Sequence, residues 1–135
     1  MKILVAKSAG YCFGVRDAVK IAYETSKNEG DVYMLGTIVH NERVVDDLSK
    51  SGAKVVNELE AVPKDKPILF RAHGTAPQIW EKAKEKNMKV VDATCPLVIE
   101  IHEEIKKLES EGRRTIIIGD HGHDEVEGIA AQVRK

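Results

Sequence analysis

Long apolar runs are missing from this sequence. Stretches such as Ile68–Phe70 and Ile116–Ile118 fall far short of the roughly 20 residues a membrane-spanning helix needs. An excess of one charge is missing too. The 21 Lys and Arg are balanced by 22 Asp and Glu, for a net charge of −1, and the two signs are intermixed. No overall field therefore draws the chain to nucleic acid or to an anionic membrane. The apolar stretch Ile3–Ala6 is too short for the core of a signal peptide. It reads instead as a first β-strand, and the chain is expected in the cytoplasm, where thiols stay reduced. There are only 2 cysteines, Cys12 and Cys95, and they lie far apart. Closely spaced Cys-x-x-Cys pairs are absent, which excludes a zinc ribbon. In a reducing compartment the two thiols are expected to be free, catalytic or metal-bound; a disulfide is the alternative. No long linker, low-complexity tract or strict repeat interrupts the chain.

What is present is an ordinary globular composition. Hydrophobic residues make up 42% and charged residues 32% of 135 positions, enough apolar side chain for one domain or two small ones. Short β-rich runs alternate with amphipathic helices. Strands are expected at Lys2–Ala6, Val32–Leu35, Lys54–Asn57, Pro67–Ala72, Lys89–Asp92 and Arg114–Ile118. Between them, Val15, Ala18, Val19 and Ala22 recur at helical spacing. Asn41 is placed to cap a helix carrying Val44, Val45 and Leu48. Pro77 and Pro96 open two more helices, and a last helix begins near Asp124. Such alternation implies βαβ units, a mainly parallel sheet and an α/β fold. A boundary is expected near Cys95, with residues 1–95 forming one lobe and 96–135 starting a second. One strand beyond that point is too little to close a sheet, so the second lobe reads as incomplete.

Ligand-type residues follow the expected strands. Cys12 comes after the first, His40 the second, His73 the fourth, Cys95 the fifth, and His121 and His123 the sixth. Parallel strands bring their carboxyl ends to one edge, where α/β proteins bind ligands. Glycines on both sides of Cys12 let the backbone approach a bulky inorganic group. Pro96 puts Cys95 at a helix entrance, where the positive end of the dipole favours a thiolate. Free cysteine is most often a small buried hydrophobe, but two at strand-to-helix junctions point to function. Three histidines at matched strand ends, His40, His73 and His123, are suited to donate hydrogen bonds to a phosphate. His102, beside an apolar helical stripe, reads as structural; His121 is either a supporting residue or simply exposed. Glu125 and Glu127 are open to two readings, a proton relay or a solvated acidic first turn favoured by the helix dipole.

Together, Ala9-Gly-Tyr-Cys-Phe-Gly-Val15, Val39-His-Asn41, Arg71-Ala-His-Gly74, Val91-Asp-Ala-Thr-Cys-Pro96 and Gly122-His-Asp-Glu-Val-Glu-Gly128 resemble the N-terminal half of the 4-hydroxy-3-methylbut-2-enyl diphosphate reductase (LytB) family. The motifs come in that family's order and cover essentially the whole chain. The resemblance implies the last step of non-mevalonate isoprenoid synthesis, a reductive dehydroxylation giving isopentenyl and dimethylallyl diphosphate. It implies a [4Fe–4S] cluster held by three cysteines, with Cys12 and Cys95 as the first two. His40, His73 and His123 would surround the substrate diphosphate, and Glu125 would deliver a proton. An electron donor such as ferredoxin or flavodoxin is implied as partner. The family folds as three similar lobes and is about twice this length. The third cysteine would then lie outside this chain, and residues 1–13 would pack with the third lobe. By itself the chain is expected to be inactive and inclined to self-associate through uncovered apolar surface. Asp124 departs from the family's usual proline.

Overall fold

The computed structural model describes residues 1–133. Ten elements follow one another: α1 (Phe13–Glu29), β1 (Val32–Leu35), α2 (Glu42–Lys50), β2 (Ala53–Val56), a 3₁₀ turn (Leu59–Ala61), β3 (Ile68–Phe70), α3 (Pro77–Glu85), β4 (Val90–Asp92), α4 (Pro96–Ser110) and α5 (Asp124–Ala130). The four strands form one parallel sheet in the order β2-β1-β3-β4. This is the α/β fold that the alternating pattern predicts. No helix among the described residues is long and apolar enough to cross a membrane.

Strand residues alternate between two cores, because successive side chains leave opposite faces of a sheet. Val32, Met34 and Leu69 point to one face and are buried with Ala18 and Ala22 of α1 and Leu48 of α2. Ile68 and Phe70 point to the other, against Leu59 and Ala83, with Tyr33, Leu35 and Ile79 around them. Burial on both faces explains why these strands read as continuous apolar runs. Helix starts follow local chemistry. The Asn41 side chain accepts the Val44 N–H at 3.1 Å, as the sequence predicts. Pro77 and Pro96 stand at the first turns of α3 and α4, where a missing N–H costs nothing.

Two expected strands do not form. Residues 2–6 and 114–118 have no regular structure, and their apolar side chains are bare, Val5 at 79% and Ile118 at 95% exposure. A strand holds its shape only when its N–H and C=O groups pair with a neighbour. Neither segment lies along β2 or β4, the two edges of the sheet. The stripe expected on α4 is also only half covered: Val98 and Ile105 are buried, with His102 between them, whereas Leu97 and Ile101 are 50% and 41% exposed.

Phe70 meets Trp80 of α3 edge to face, centroids 4.7 Å apart, in the core between β3 and α3. Phe70→Ala should therefore cost about 3–5 kcal/mol of stability. Urea unfolding followed by the emission of Trp80, the only tryptophan, measures it. A loss below ~1 kcal/mol would mean that this core tolerates collapse.

Candidate functional site

Backbone pairing continues past the strands and sets the positions of the site residues. The Ala72 N–H donates to Ile38 O at 3.3 Å, Ala93 N–H to Phe70 O at 2.9 Å, and Cys95 N–H to Ala72 O at 3.0 Å. The segments after β1, β3 and β4 are thus held side by side at one sheet edge. His40, His73 and Cys95 lie on them. The Asp92 carboxylate accepts both the backbone N–H and the hydroxyl of Thr94, a tight turn that presents Cys95.

The three histidines expected to share a site do meet. The His40 and His73 rings are stacked, centroids 4.3 Å apart. His123 lies 5.3 Å from His40 and 6.0 Å from His73. His123 caps α5, its Nδ1 accepting the Glu125 N–H at 3.3 Å. That fixes Nδ1 as acceptor and leaves Nε2 as donor. Glu125 turns toward His73, Oε2 standing 3.7 Å from Nδ1. His73 Nε2 is buried and has no hydrogen-bond partner among the described residues. Buried ring nitrogens rarely stay unpaired, so this atom calls for a hydrogen-bond partner that the described residues do not provide. A cleft of about 380 Å³ opens beside His40, lined also by Thr37, Asn41 and the start of α2.

The cysteines come next. Cys12 is the N-cap residue of α1 and Cys95 that of α4, and neither side chain makes a capping bond. Both thiols are free, Cys12 exposed and Cys95 half-buried, so no disulfide joins them. A side chain at Gly14, in the first turn of α1, would collide with the Cys95 sulfur. Cys95 therefore packs directly on the helix that Cys12 opens. Two thiols alone are not a complete metal site, and no group of three or more His, Cys, Asp or Glu among the described residues could hold an ion.

His121 is exposed and joins no cluster. His102 is buried, with its ring under Gly74 (φ 83°), where a Cβ would lie 2.6 Å from His102 Cε1. That position therefore requires glycine. Glu127 faces solvent. One pair escaped the sequence reading: Arg71 Nη1 meets Asp124 Oδ2 at 2.7 Å. The signal was present as a charge placed directly after the buried run Ile68–Phe70.

Burial lowers the His73 imidazole from the ordinary histidine range; His40 alongside adds to this, while Glu125 and Asp124 oppose it. Burial likewise lowers His102, with Lys106 adding and Glu125 opposing. Above about pH 6.5 both rings are neutral, folded or unfolded. As the pH falls below that value, the unfolded chain takes up protons that the folded chain resists, so acid destabilises the fold. The urea midpoint should drop on acidification through this window, and drop less in His73→Gln and His102→Gln. An unchanged pH dependence in both variants would contradict the assignment.

Comparison with known proteins points to one family. The family model described as LytB protein matches residues 3–135. The 4-hydroxy-3-methylbut-2-enyl diphosphate reductase of Clostridioides difficile (strain 630) is 42% identical over 130 residues, which are 96% of this chain and 47% of that protein. The enzyme of that name from Wolbachia pipientis wMel is 43% identical over 137 residues, 98% of this chain and 44% of its own length. Among solved structures, the E-1-hydroxy-2-methyl-but-2-enyl-4-diphosphate reductase of Plasmodium falciparum superposes with a TM-score of 0.90 at 36% identity, covering 93% of this chain and 40% of that one. A second, (E)-4-hydroxy-3-methyl-but-2-enyl diphosphate reductase, described as the terminal enzyme of the non-mevalonate pathway, gives 0.82 at 37% identity, covering 96% and 46%. The chain spans about half the length of the curated relatives it matches. By family-model match and by fold alike, this chain belongs to the LytB protein family.

Proposed function

We propose that this chain supplies the N-terminal part of a 4-hydroxy-3-methylbut-2-enyl diphosphate reductase: half of its diphosphate site and two of its three cluster ligands. The observation that carries this reading is the convergence of His40, His73 and His123 at one sheet edge, rings 4.3 to 6.0 Å apart, with Glu125 against them. Three imidazoles able to donate hydrogen bonds suit a multiply charged anion. The reaction of the complete protein replaces a substrate hydroxyl by hydrogen; two electrons and two protons enter, and water leaves.

The donor set fits an iron–sulfur cluster in part. Thiolates are the usual ligands of such clusters. Cys12 and Cys95 are unbridged, each stands at a helix start, and the Cys95 sulfur packs on Gly14, two residues past Cys12. They would hold a [4Fe–4S] cluster together with a third cysteine from outside this chain. When bound, the cluster supplies the electrons. This chain's own residues do the rest of the work assigned to it. His40, His73 and His123 bind the diphosphate and orient it, and His123 Nε2 is the free donor. Glu125, held at the start of α5 and facing His73, carries the proton bound for the substrate. Ferredoxin or flavodoxin is the electron donor we expect, and the unbridged thiols support a cytoplasmic setting. Residues 1–95 make the first lobe, 96–135 begin the second, and 1–13 pack on a third.

In the complete protein prepared without oxygen, Cys12→Ser or Cys95→Ser should abolish bound iron and labile sulfide. Retention of both in the two variants would refute the ligand assignment. The 135-residue chain should show no turnover with a chemical reductant, because it lacks the third thiolate; measurable product would refute that.

A second role is self-association, favoured by one observation. Leu4, Val5, Ile116 and Ile118 are 79% to 95% exposed, and bare apolar side chains are what association covers. Light scattering should give a mass that rises with concentration. A constant monomer mass would exclude it.

A further inference from the structure

We propose that the Arg71–Asp124 ion pair is the clamp that positions His123 and Glu125 against His73. The inference rests on the functional reading above for the meaning of those residues, but not for the clamp itself. Helix α5 needs a clamp because of how the chain reaches it. The segment from residue 113 to 118 has no regular structure and pairs with no strand. Among the described residues, no backbone hydrogen bond joins the stretch 113–118 to the sheet. The place of α5 depends on its own side chains.

Helix α5 also packs against α4, and its specific contacts are these. Gly128 approaches the His73 and Gly74 carbonyl oxygens, where a Cβ would lie 3.4 and 3.5 Å away. Val126 packs on Gly119 within its own loop. The Gln132 amide bonds back to Gly128 O at 2.8 Å, inside the same segment. Glu125 stands 3.7 Å from His73 Nδ1, beyond hydrogen-bond reach. The Arg71–Asp124 contact, at 2.7 Å with side chains only 24% and 29% exposed, is the short polar link between α5 and the sheet. Most ion pairs of this molecule are more exposed, such as Lys20–Glu24 at 69% and 61%, and exposed pairs hold little.

Both ends of the link are fixed. Arg71 directly follows β3 and its guanidinium lies on Gly36, just past β1, where a Cβ would be 2.6 Å from Nη1. Gly36 has φ 72°, so a side chain there is unfavourable for two reasons. Asp124 is the first residue of α5, flanked by the N-cap His123 and by Glu125. Its carboxylate also favours the helix start. Arg71 is two residues before His73. One ion pair therefore ties the His73 segment to the His123–Glu125 segment. In α3 and α4 the corresponding first turn starts with proline, which fixes a helix entrance covalently. In α5 an ion pair to the sheet does that work.

The consequence is a specific non-additivity. Arg71→Gln and Asp124→Asn should each accelerate amide exchange at Glu125 and Glu127 in the ¹⁵N-labelled chain by roughly three- to tenfold, within the lower part of the coupling seen between contacting groups. The double variant should exchange no faster than either single one. Exchange at Tyr33, whose N–H bonds to Pro67 O inside the sheet, should not change. In the Asp124→Pro background the entrance is rigid without the charge, so Arg71→Gln should have no further effect. Additive effects, unchanged exchange in α5, or equal acceleration at Tyr33 would each overturn the clamp. Titration with inorganic pyrophosphate runs alongside. Binding should weaken in the single variants. If the parent chain binds no pyrophosphate, the diphosphate reading fails while the exchange cycle still decides the clamp.

Discussion

Parallel pairing between β1 and β3 is the constraint on which the site depends. It places the chain segments after both strands at one edge, and the hydrogen bonds from Ala72 to Ile38 and from Cys95 to Ala72 extend that alignment beyond the strands themselves. His40, His73 and Cys95 are brought together by backbone geometry and not by contacts among their own side chains. The two apolar cores on either face make the pairing stable. Val32, Met34 and Leu69 cannot leave one core, nor Ile68 and Phe70 the other, without slipping the register by a residue. Such a slip would rotate the whole edge away from its present arrangement.

The site is built from two parts with different supports. His40, His73 and Cys95 stand on the sheet. His123 and Glu125 stand on α5, which arrives through an irregular segment and is tied down by Arg71, Asp124 and a close glycine contact. Cys12 stands on α1, linked to the first part where Cys95 packs on Gly14. This division suits a chain that covers about half the length of its relatives. The sheet-borne residues take their places from backbone pairing within this chain. The exposed residues of the segments 2–6 and 114–118 carry strand-like sequence without a strand partner.

Much of this was legible from residue patterns because the relevant signals are local. Asn41 announced the start of α2, Pro77 and Pro96 those of α3 and α4, and the buried runs gave β1 and β3. Strand ends carrying His and Cys gave the edge at which they meet. Lys2–Ala6 and Arg114–Ile118 have the same β-rich look, yet a strand is a property of a pair, and pairing partners do not show in a single stretch of sequence. The Arg71–Asp124 contact was hidden for the same reason: the two charges are far apart along the chain and are joined only by the fold. Asp124 stands where the resemblance implies a proline, and the fold gives it an ion pair to Arg71.

The central claim is that His40, His73 and His123 form one anion-binding surface. The chain contains its own controls, since His102 is buried under Gly74 and His121 is exposed, outside the ring contacts of the other three. Imidazole proton–carbon spectra during titration with inorganic pyrophosphate test the claim directly. The account predicts that resonances of His40, His73 and His123 move together with one saturating affinity while those of His102 and His121 stay still. Shifts at His121 alone, or equal shifts at all five rings, would contradict it.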